Sequence, residues 1–525
     1  MTSMLLFETA LLLLALYVFK GLFFDKKKKK NAALLPPGPS GLPFVGNIAD
    51  LPPAGIPEYQ HWLKHKDLYG PISSVTVLGQ TMIIIHDKNL ALELMEKRSA
   101  IYSSRPRMVF AFEMCGWIDT IASQPNNNRH RLYRKYAHQT IGTKAAVSRL
   151  SEIQEAEVGR FLQRLTHTPD ELFAHIRTEA GATILKITYD YNIEQHKEDP
   201  LVKVADEALD QFSAAAVPGA WMVDVLPFLR HLPEWLPGAG FKRTSRLWKK
   251  TLADVANIPY NYVKKQISDQ PNHDSYVSRL VEQNSSTLGP EEEHAIKWSA
   301  ASLYTGGADT SVSTMSSFFL AMSITPEVQR KAQQEIDRVV GSSRLPTFSD
   351  RENLPYVDAI VKEALRWHPI GPMGLPHVVD QDDMYNEYLI PKGSLVLPSI
   401  WWFTHDPETY HDPMAFKPER YFEPFCEPSP NDVVWGFGRR ICPGRVLADS
   451  NIYLAFAQTL AAFNIQKAVD ENGAEIQPEI GFTAGIISHP MPFKCRLSPR
   501  SKAHEKLINE IEERYPWKES DAQLL

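Results

Sequence analysis

With 525 residues, 43% of them apolar and 10% aromatic, the chain can bury a large core. Its 56 basic and 62 acidic side chains leave a formal charge of −6, which excludes the broad basic surface of a general nucleic-acid binder. Cys115, Cys426, Cys442 and Cys495 are far apart and form no recognisable disulfide framework, so a reducing compartment fits better than secretion.

The first predicted element runs from Met4 to Phe24, mostly Leu, Phe, Ala and Val, interrupted by Glu8, Thr9 and Lys20. About 20 helical residues span a bilayer core, so this stretch is just long enough. Lys26 to Lys30 follow it. Charge after the apolar run, not before it, reads as an uncleaved single-pass anchor whose C-terminal side is cytosolic. Pro36-Pro37-Gly38-Pro39 is a stiff, extended hinge.

Residues 72–85 alternate around Gly79-Gln80, as in a β-hairpin. Residues 103–125 mix Pro, Met, Phe and Trp without helical periodicity, which predicts a long loop over a pocket. Arg129-His130-Arg131-Leu-Tyr-Arg134-Lys135 is a basic cluster, ordinarily a solvated helix face. From about 129 to 340 most segments read as helices, with Pro and Gly breaks near 217–239 and 289–290. One helix should begin after Pro290 and continue to about Ser323. Inside it, Gly306-Gly307 costs on the order of 1 kcal/mol per glycine relative to alanine. Either a ligand presses on that helix or a second helix crosses close to it. Thr310, four residues beyond Gly306, can bond its carbonyl. Glu363 and Arg366 share a face of a later helix, a spacing that often marks only a surface pair. Short strands are expected around 375–397 and 480–497. His61 and His65 share a helical face, but without the glutamate of HExxH a zinc site is improbable.

The most informative stretch is Trp435-Gly-Phe-Gly438-Arg-Arg440-Ile-Cys442-Pro-Gly444. Zinc would require further Cys or His ligands nearby, and a disulfide would require a partner. One thiolate suffices as the axial ligand of haem iron. Glycines let the backbone approach a flat macrocycle and aim N–H groups at sulfur. Arg440 can reach a haem propionate. A buried free cysteine in a Gly-rich turn remains the plain alternative.

This decapeptide resembles the haem-binding signature of the cytochrome P450 monooxygenases, Phe-x-x-Gly-x-Arg-x-Cys-x-Gly. Gly438, Arg440, Cys442 and Gly444 match it, while Trp435 replaces the usual Phe. The resemblance implies a mainly α, helix-rich haem domain with a smaller β region, over residues 43–525. It would follow a transmembrane anchor and basic stop (1–30) and the hinge (31–42), on the cytosolic face of the endoplasmic reticulum. It implies haem b on Cys442, with Arg440, Gly438 and Gly444 in the cofactor loop. Arg134, His130 (where the family usually has Trp) and His377 are the implied propionate partners. Asp309 and Thr310 match the acid and alcohol that pass protons to dioxygen during its cleavage. Glu363, Arg366 and Arg420, the last in Pro418-Glu-Arg-Tyr, match a buried structural network behind the cysteine loop.

By the same resemblance, electrons would come from NADPH through a separate cytochrome P450 reductase, steered by a rim that includes Arg439 and Arg445. One oxygen atom would enter an apolar substrate by hydroxylation or epoxidation. Candidate lining residues are Phe110, Phe112, Met114, Trp117, Ser302, Thr305, Gly306, Met373, Leu375, Ile486 and Ile487. The overall pattern is similar to fungal enzymes of terpenoid or polyketide secondary metabolism. A haem-thiolate isomerase or dehydratase that uses no dioxygen, or a non-enzymatic haem binder, are the alternatives.

Overall fold

A computed structural model describes residues 34–525, apart from 54, 196, 218, 270–273 and 286–287. The expected anchor therefore lies outside the described residues. Among those described, no helix is long and apolar enough to cross a membrane.

The chain enters along a sheet edge. Pro36 and Pro37 carbonyls accept from the Ser74 hydroxyl (2.6 Å) and amide (2.8 Å), so the Pro-rich segment is docked against β1 (Ile72–Val77). A Cβ on Gly38 would overlap the Ser74 carbonyl oxygen, at 1.8 Å. β1 pairs antiparallel with β2 (Gln80–Ile85) through Leu78 and Gly79. Their φ angles of 50° and 88° suit the left-handed two-residue turn that matches strand twist. β3 (His377–Val378), β4 (Asp383–Tyr385), β5 (Tyr388–Ile390) and β6 (Leu395–Pro398) fall in the expected second region. The main sheet has the order β1-β2-β6-β3, which places His377 on the sheet edge next to β6.

The rest is mostly helical. The elements that position the site are α1 (Asn128–Ile141), α2 (Ser151–His167), α3 (Leu172–Tyr189), α4 (Pro200–Ala215), α5 (Phe241–Asp269), α6 (Pro290–Ile324), α7 (Pro355–Trp367) and α8 (Arg445–Ala462). α6 starts with Pro290 at its first turn, followed by Glu291, Glu292 and Glu293, a sequence suited to the positive end of a helix dipole. Over its 35 residues it is buried on nearly every side. That explains its lack of a single apolar stripe. α3 packs along it, and a Cβ on Gly307 would lie 3.1 Å from the Ile184 side chain. Gly307 thus serves close helix packing, whereas nothing lies within 4 Å of the Cβ position of Gly306. The two glycines answer different requirements.

Two expectations need correction. Only Cys495–Pro499 (β8) is a strand in the 480–497 region, paired with β7 (Phe463–Lys467). Residues 481–491 form a tight loop closed by a Phe482–Pro490 bridge, because Gly485 at φ 118° and the Pro490 ring interrupt a ladder. The expected loop at 103–125 contains helical turns at Val109–Met114 and Trp117–Asp119. Its apolar side chains are buried, and a buried backbone must satisfy its own polar groups, which short helical turns achieve.

Candidate active site

Cys442 sits three residues before α8, so its sulfur faces the free amides at a helix N-terminus. It accepts from the backbone N–H groups of Gly444 and Arg445. Its own amide donates to the Trp435 carbonyl (2.8 Å), closing the loop. Trp435 is held by its indole N–H on Asn431 (3.0 Å), a bond that phenylalanine lacks. Gly438 has φ 50°, and its amide donates to Glu96 (2.6 Å). A Cβ there would come within 2.6 Å of the Met95 carbonyl and of Ser99. Burial pushes the Cys442 thiol up, opposed by the Gly444 amide and by Arg134 and Arg445. The sulfur is therefore surrounded by donors and cations that favour its anion, which an added metal cation would complete.

Beside the loop lies a cluster of cations. Arg440 Nε donates to the Ser103 carbonyl and Nη2 to that of Gln124 (both 2.6 Å). Arg134 Nη1 donates to the Ile441 carbonyl (2.7 Å). Arg105 donates to the carbonyls of Ala122 (2.8 Å), Leu375 (2.8 Å) and Pro376 (2.9 Å). Among the described residues, no carboxylate forms a salt bridge with any of the three. Burial, reinforced by neighbouring arginines, pushes Arg105 well below the usual range and Arg440 down to about 10. His130 is buried and pushed down to about 3 by burial and by Arg440, Arg134 and Arg105, and its Nδ1 has no partner. His377, buried on β3, is lowered by burial and Arg105, and its Nδ1 meets the Tyr102 carbonyl at 2.6 Å. Uncompensated buried cations are costly unless an anion joins them. This donor set fits a flat group that carries two carboxylates and binds a metal over Cys442.

Arg105 was not singled out from the sequence. It stands in Ser-Ser-Arg-Pro, and no local pattern separates a buried arginine from a surface one.

On α6, the Thr310 hydroxyl donates to the Gly306 carbonyl (2.7 Å). Asp309 turns away to His489, with Oδ1 3.1 Å from Nε2. Glu363, Arg366 and Arg420 come together with side chains 0%, 0% and 2% exposed. Arg366 binds Glu363 through two bonds of 2.8 Å, and Arg420 Nε adds a third at 3.0 Å. Glu427, not anticipated, pairs with Arg420 at 2.5 Å.

The candidate substrate residues separate into groups. Phe110, Phe112 and Trp117 belong to one apolar body, with Met114 packed on it. Phe110 stacks on Trp221 at 3.6 Å, which assigns it to the core. The Ser302 hydroxyl accepts from the Ile121 amide (2.9 Å), tying the early loop to α6. The Thr305 hydroxyl donates to Ala301 (2.9 Å). Met373 belongs to a smaller cluster with Tyr59, Trp62 and Leu397. Its loop meets the 481–491 loop where the Ile486 carbonyl lies 3.8 Å from the Cβ position of Gly371. The Leu375 carbonyl is taken by Arg105. Ile487 is half-buried. A cavity of about 1130 Å³ is lined by none of these, but by charged residues and by Val312 and Ser316 of α6.

Known proteins share this arrangement of sequence. The profile of the family described as Cytochrome P450 matches residues 36–496. The chain is 45% identical over 511 residues to the multifunctional cytochrome P450 monooxygenase af510 of Aspergillus fumigatus, covering 96% of this chain and 95% of that one. It is 46% identical to the cytochrome P450 monooxygenase claR of Ampulloclitocybe clavipes, over 98% of this chain and 94% of the relative. It is 42% identical to the O-methylsterigmatocystin oxidoreductase of Aspergillus flavus, over 97% and 96% of the two. A lone sulfur at a helix N-terminus, a central helix with an acid and an alcohol, and near full-length kinship agree: the chain belongs to the cytochrome P450 family.

Proposed function

We propose that the protein is a haem-thiolate monooxygenase of secondary metabolism that acts on an apolar terpenoid or polyketide. The observation that carries this reading is the pairing of the Cys442 sulfur, bonded by Gly444 and Arg445 amides, with the buried Arg440 and the half-buried Arg105 and Arg134, none of them salt-bridged to a carboxylate among the described residues. Kinship with monooxygenases supports the class. One relative's name specifies O-methylsterigmatocystin as its substrate, which supports a natural-product substrate here.

In this reading the sulfur of Cys442 would hold the iron of haem b. Arg105, Arg134 and Arg440 would hold its two propionates, with His130 as a neutral donor. His377 gives its Nδ1–H to the Tyr102 carbonyl, so its Nε2 would donate to a propionate only as the imidazolium that the anion favours. Bound haem supplies the activation of dioxygen, which gives one atom to the substrate and one to water. The open face of Gly306 leaves room beside the helix for a small molecule. Thr310 orients its hydroxyl there, and the carboxylate of Asp309 would relay protons toward it. Glu363, Arg366 and Arg420 fix the chain behind the cysteine loop and take no part in the reaction. Electrons come from NADPH through a separate reductase. Met4 to Phe24 and the lysines after it anchor the domain to the endoplasmic reticulum membrane.

Microsomes containing the protein and reductase, given NADPH and isotope-labelled dioxygen, should place one labelled atom in a terpenoid or polyketide product. Turnover that proceeds without dioxygen would favour the isomerase alternative, against which Asp309 and Thr310 already speak.

A further inference from the structure

Asp309 lies on the helix between two surroundings. Its chain neighbour Thr310 shares the stripe of Gly306, four residues back. Ser316, two turns beyond Asp309 and on its own stripe, lines the 1130 Å³ cavity together with Val312. The cavity wall also includes His489, Asp206 and Arg177, and the exposed Lys197 and Glu198 bring it to the protein surface. His489 therefore touches the cavity with its ring and Asp309 with Nε2.

The backbone that carries the ring is held firmly there. The carbonyl of Ser488 accepts from the Ser313 hydroxyl (2.6 Å) and meets His368 Nε2 at 3.1 Å. The amide of His489 donates to Thr483 Oγ1 (2.9 Å). Ser313 follows Asp309 by one turn of α6, so the loop and the acid are set by the same helix face. Across the cavity, burial and the charges of Asp210, Asp309 and Glu198 push Asp206 up to about 6, against Arg177 at 3.8 Å. A carboxyl whose burial favours its protonated form thus lines the same cavity as His489.

We propose that His489 is a positioning residue for proton supply, linking Asp309 to bulk solvent through this charged cavity. The inference rests on the monooxygenase reading. Insertion of one oxygen atom consumes substrate, dioxygen, two electrons and two protons, and yields hydroxylated product and water. The reductase supplies the electrons and solvent the protons. A protonated His489 gives its Nε2 proton to the Asp309 carboxylate and regains one from the cavity, so the pair ends each cycle unchanged.

Two measurements on the holoprotein test this. In the ferric protein, Asp309→Cys should be labelled by a charged methanethiosulfonate, followed by mass. Narrowing the cavity with Val202→Trp should slow that labelling about tenfold, and an unchanged rate would overturn the solvent path. With reductase, NADPH and dioxygen, His489→Phe should raise the solvent deuterium isotope effect on dioxygen consumption. It should also increase the peroxide released per NADPH, with product formation down on the order of 10-fold or more. His489→Gln should fall between Phe and wild type. An isotope effect and peroxide yield that match the wild type in both variants would overturn the role of His489. If the wild type itself consumes no dioxygen with NADPH, the monooxygenase reading fails, while the labelling result still decides the route to Asp309.

Discussion

Two arginine clusters, one buried and one half-buried, flank the cysteine loop, and they are built on opposite principles. Behind it, Arg366 and Arg420 face Glu363 and Glu427, two cations against two anions. Every guanidinium donor has a partner: Arg366 also reaches the Thr404, Pro413 and Ala415 carbonyls, and Arg420 those of His411, Asp412 and Ala415. Beside the loop, Arg105, Arg134 and Arg440 have carbonyls only. The first cluster is complete in the protein alone. The second has no salt-bridged anion among the described residues, and under the haem reading a dianion would complete it. Charge satisfaction thus separates the two clusters, the first fully buried and the second only partly so.

Breaking the balanced cluster should cost most. Glu363→Ala leaves the buried Arg366 with no carboxylate and Arg420 with Glu427 alone, and should lower stability by about 3–5 kcal/mol in urea denaturation of the holoprotein. A cost below about 1 kcal/mol would make the pair equivalent to a surface bridge.

Acid should attack the same side. Burial pushes His368 and His405 down to about 3, with Arg366 adding to the effect on His405. Because the unfolded chain takes up these protons first, their contribution is present above pH 6.5 and is lost as pH falls toward 3. Denaturation measured across that window should show stability declining, and His405→Gln should flatten the decline.

The unbalanced cluster should respond differently. Arg134→Leu removes one carbonyl bond and one uncompensated cation, so stability of the haem-free protein should change little. Loss of one charge-assisted bond, about 1.5–3 kcal/mol, should speed haem transfer to apomyoglobin roughly 10- to 100-fold. Equal losses in both assays would erase the distinction between the clusters.

The smallest effect concerns the paired glycines. Gly307→Ala meets Ile184 and should cost about 1–3 kcal/mol by overpacking. Gly306→Ala has space and should gain up to about 1 kcal/mol from helix propensity. Thermal denaturation of the two variants shows whether the signs differ.

Much of this was legible in the sequence because local rules carried it. Pro290 with its acidic turn, the hairpin expected around Gly79-Gln80 (its turn falls one residue earlier, at Leu78-Gly79), and the cysteine between glycines each state their geometry within a few residues. The spacing of Glu363 and Arg366 predicted a shared face, but not whether that face was buried. The Gly306-Gly307 pair was readable as a ligand contact or a helix crossing, and each glycine proved to have its own surroundings. What escaped was long-range. Arg105 joins Arg440 from 335 positions away across the fold, while His489 reaches Asp309 only because Ser313 pins its loop. Such pairings depend on tertiary packing, which leaves no period in the chain. The substrate residues were the least legible, since an apolar side chain lining a pocket and one filling the core obey the same pattern.

The central claim is that Cys442 binds haem iron through its sulfur, and the reduced, carbon-monoxide-treated spectrum tests it most directly. The wild type should show a Soret band at roughly 450 nm, and Cys442→Ala should lose it. A wild-type protein without that band, or a Cys442→Ala variant that keeps it, would contradict the account.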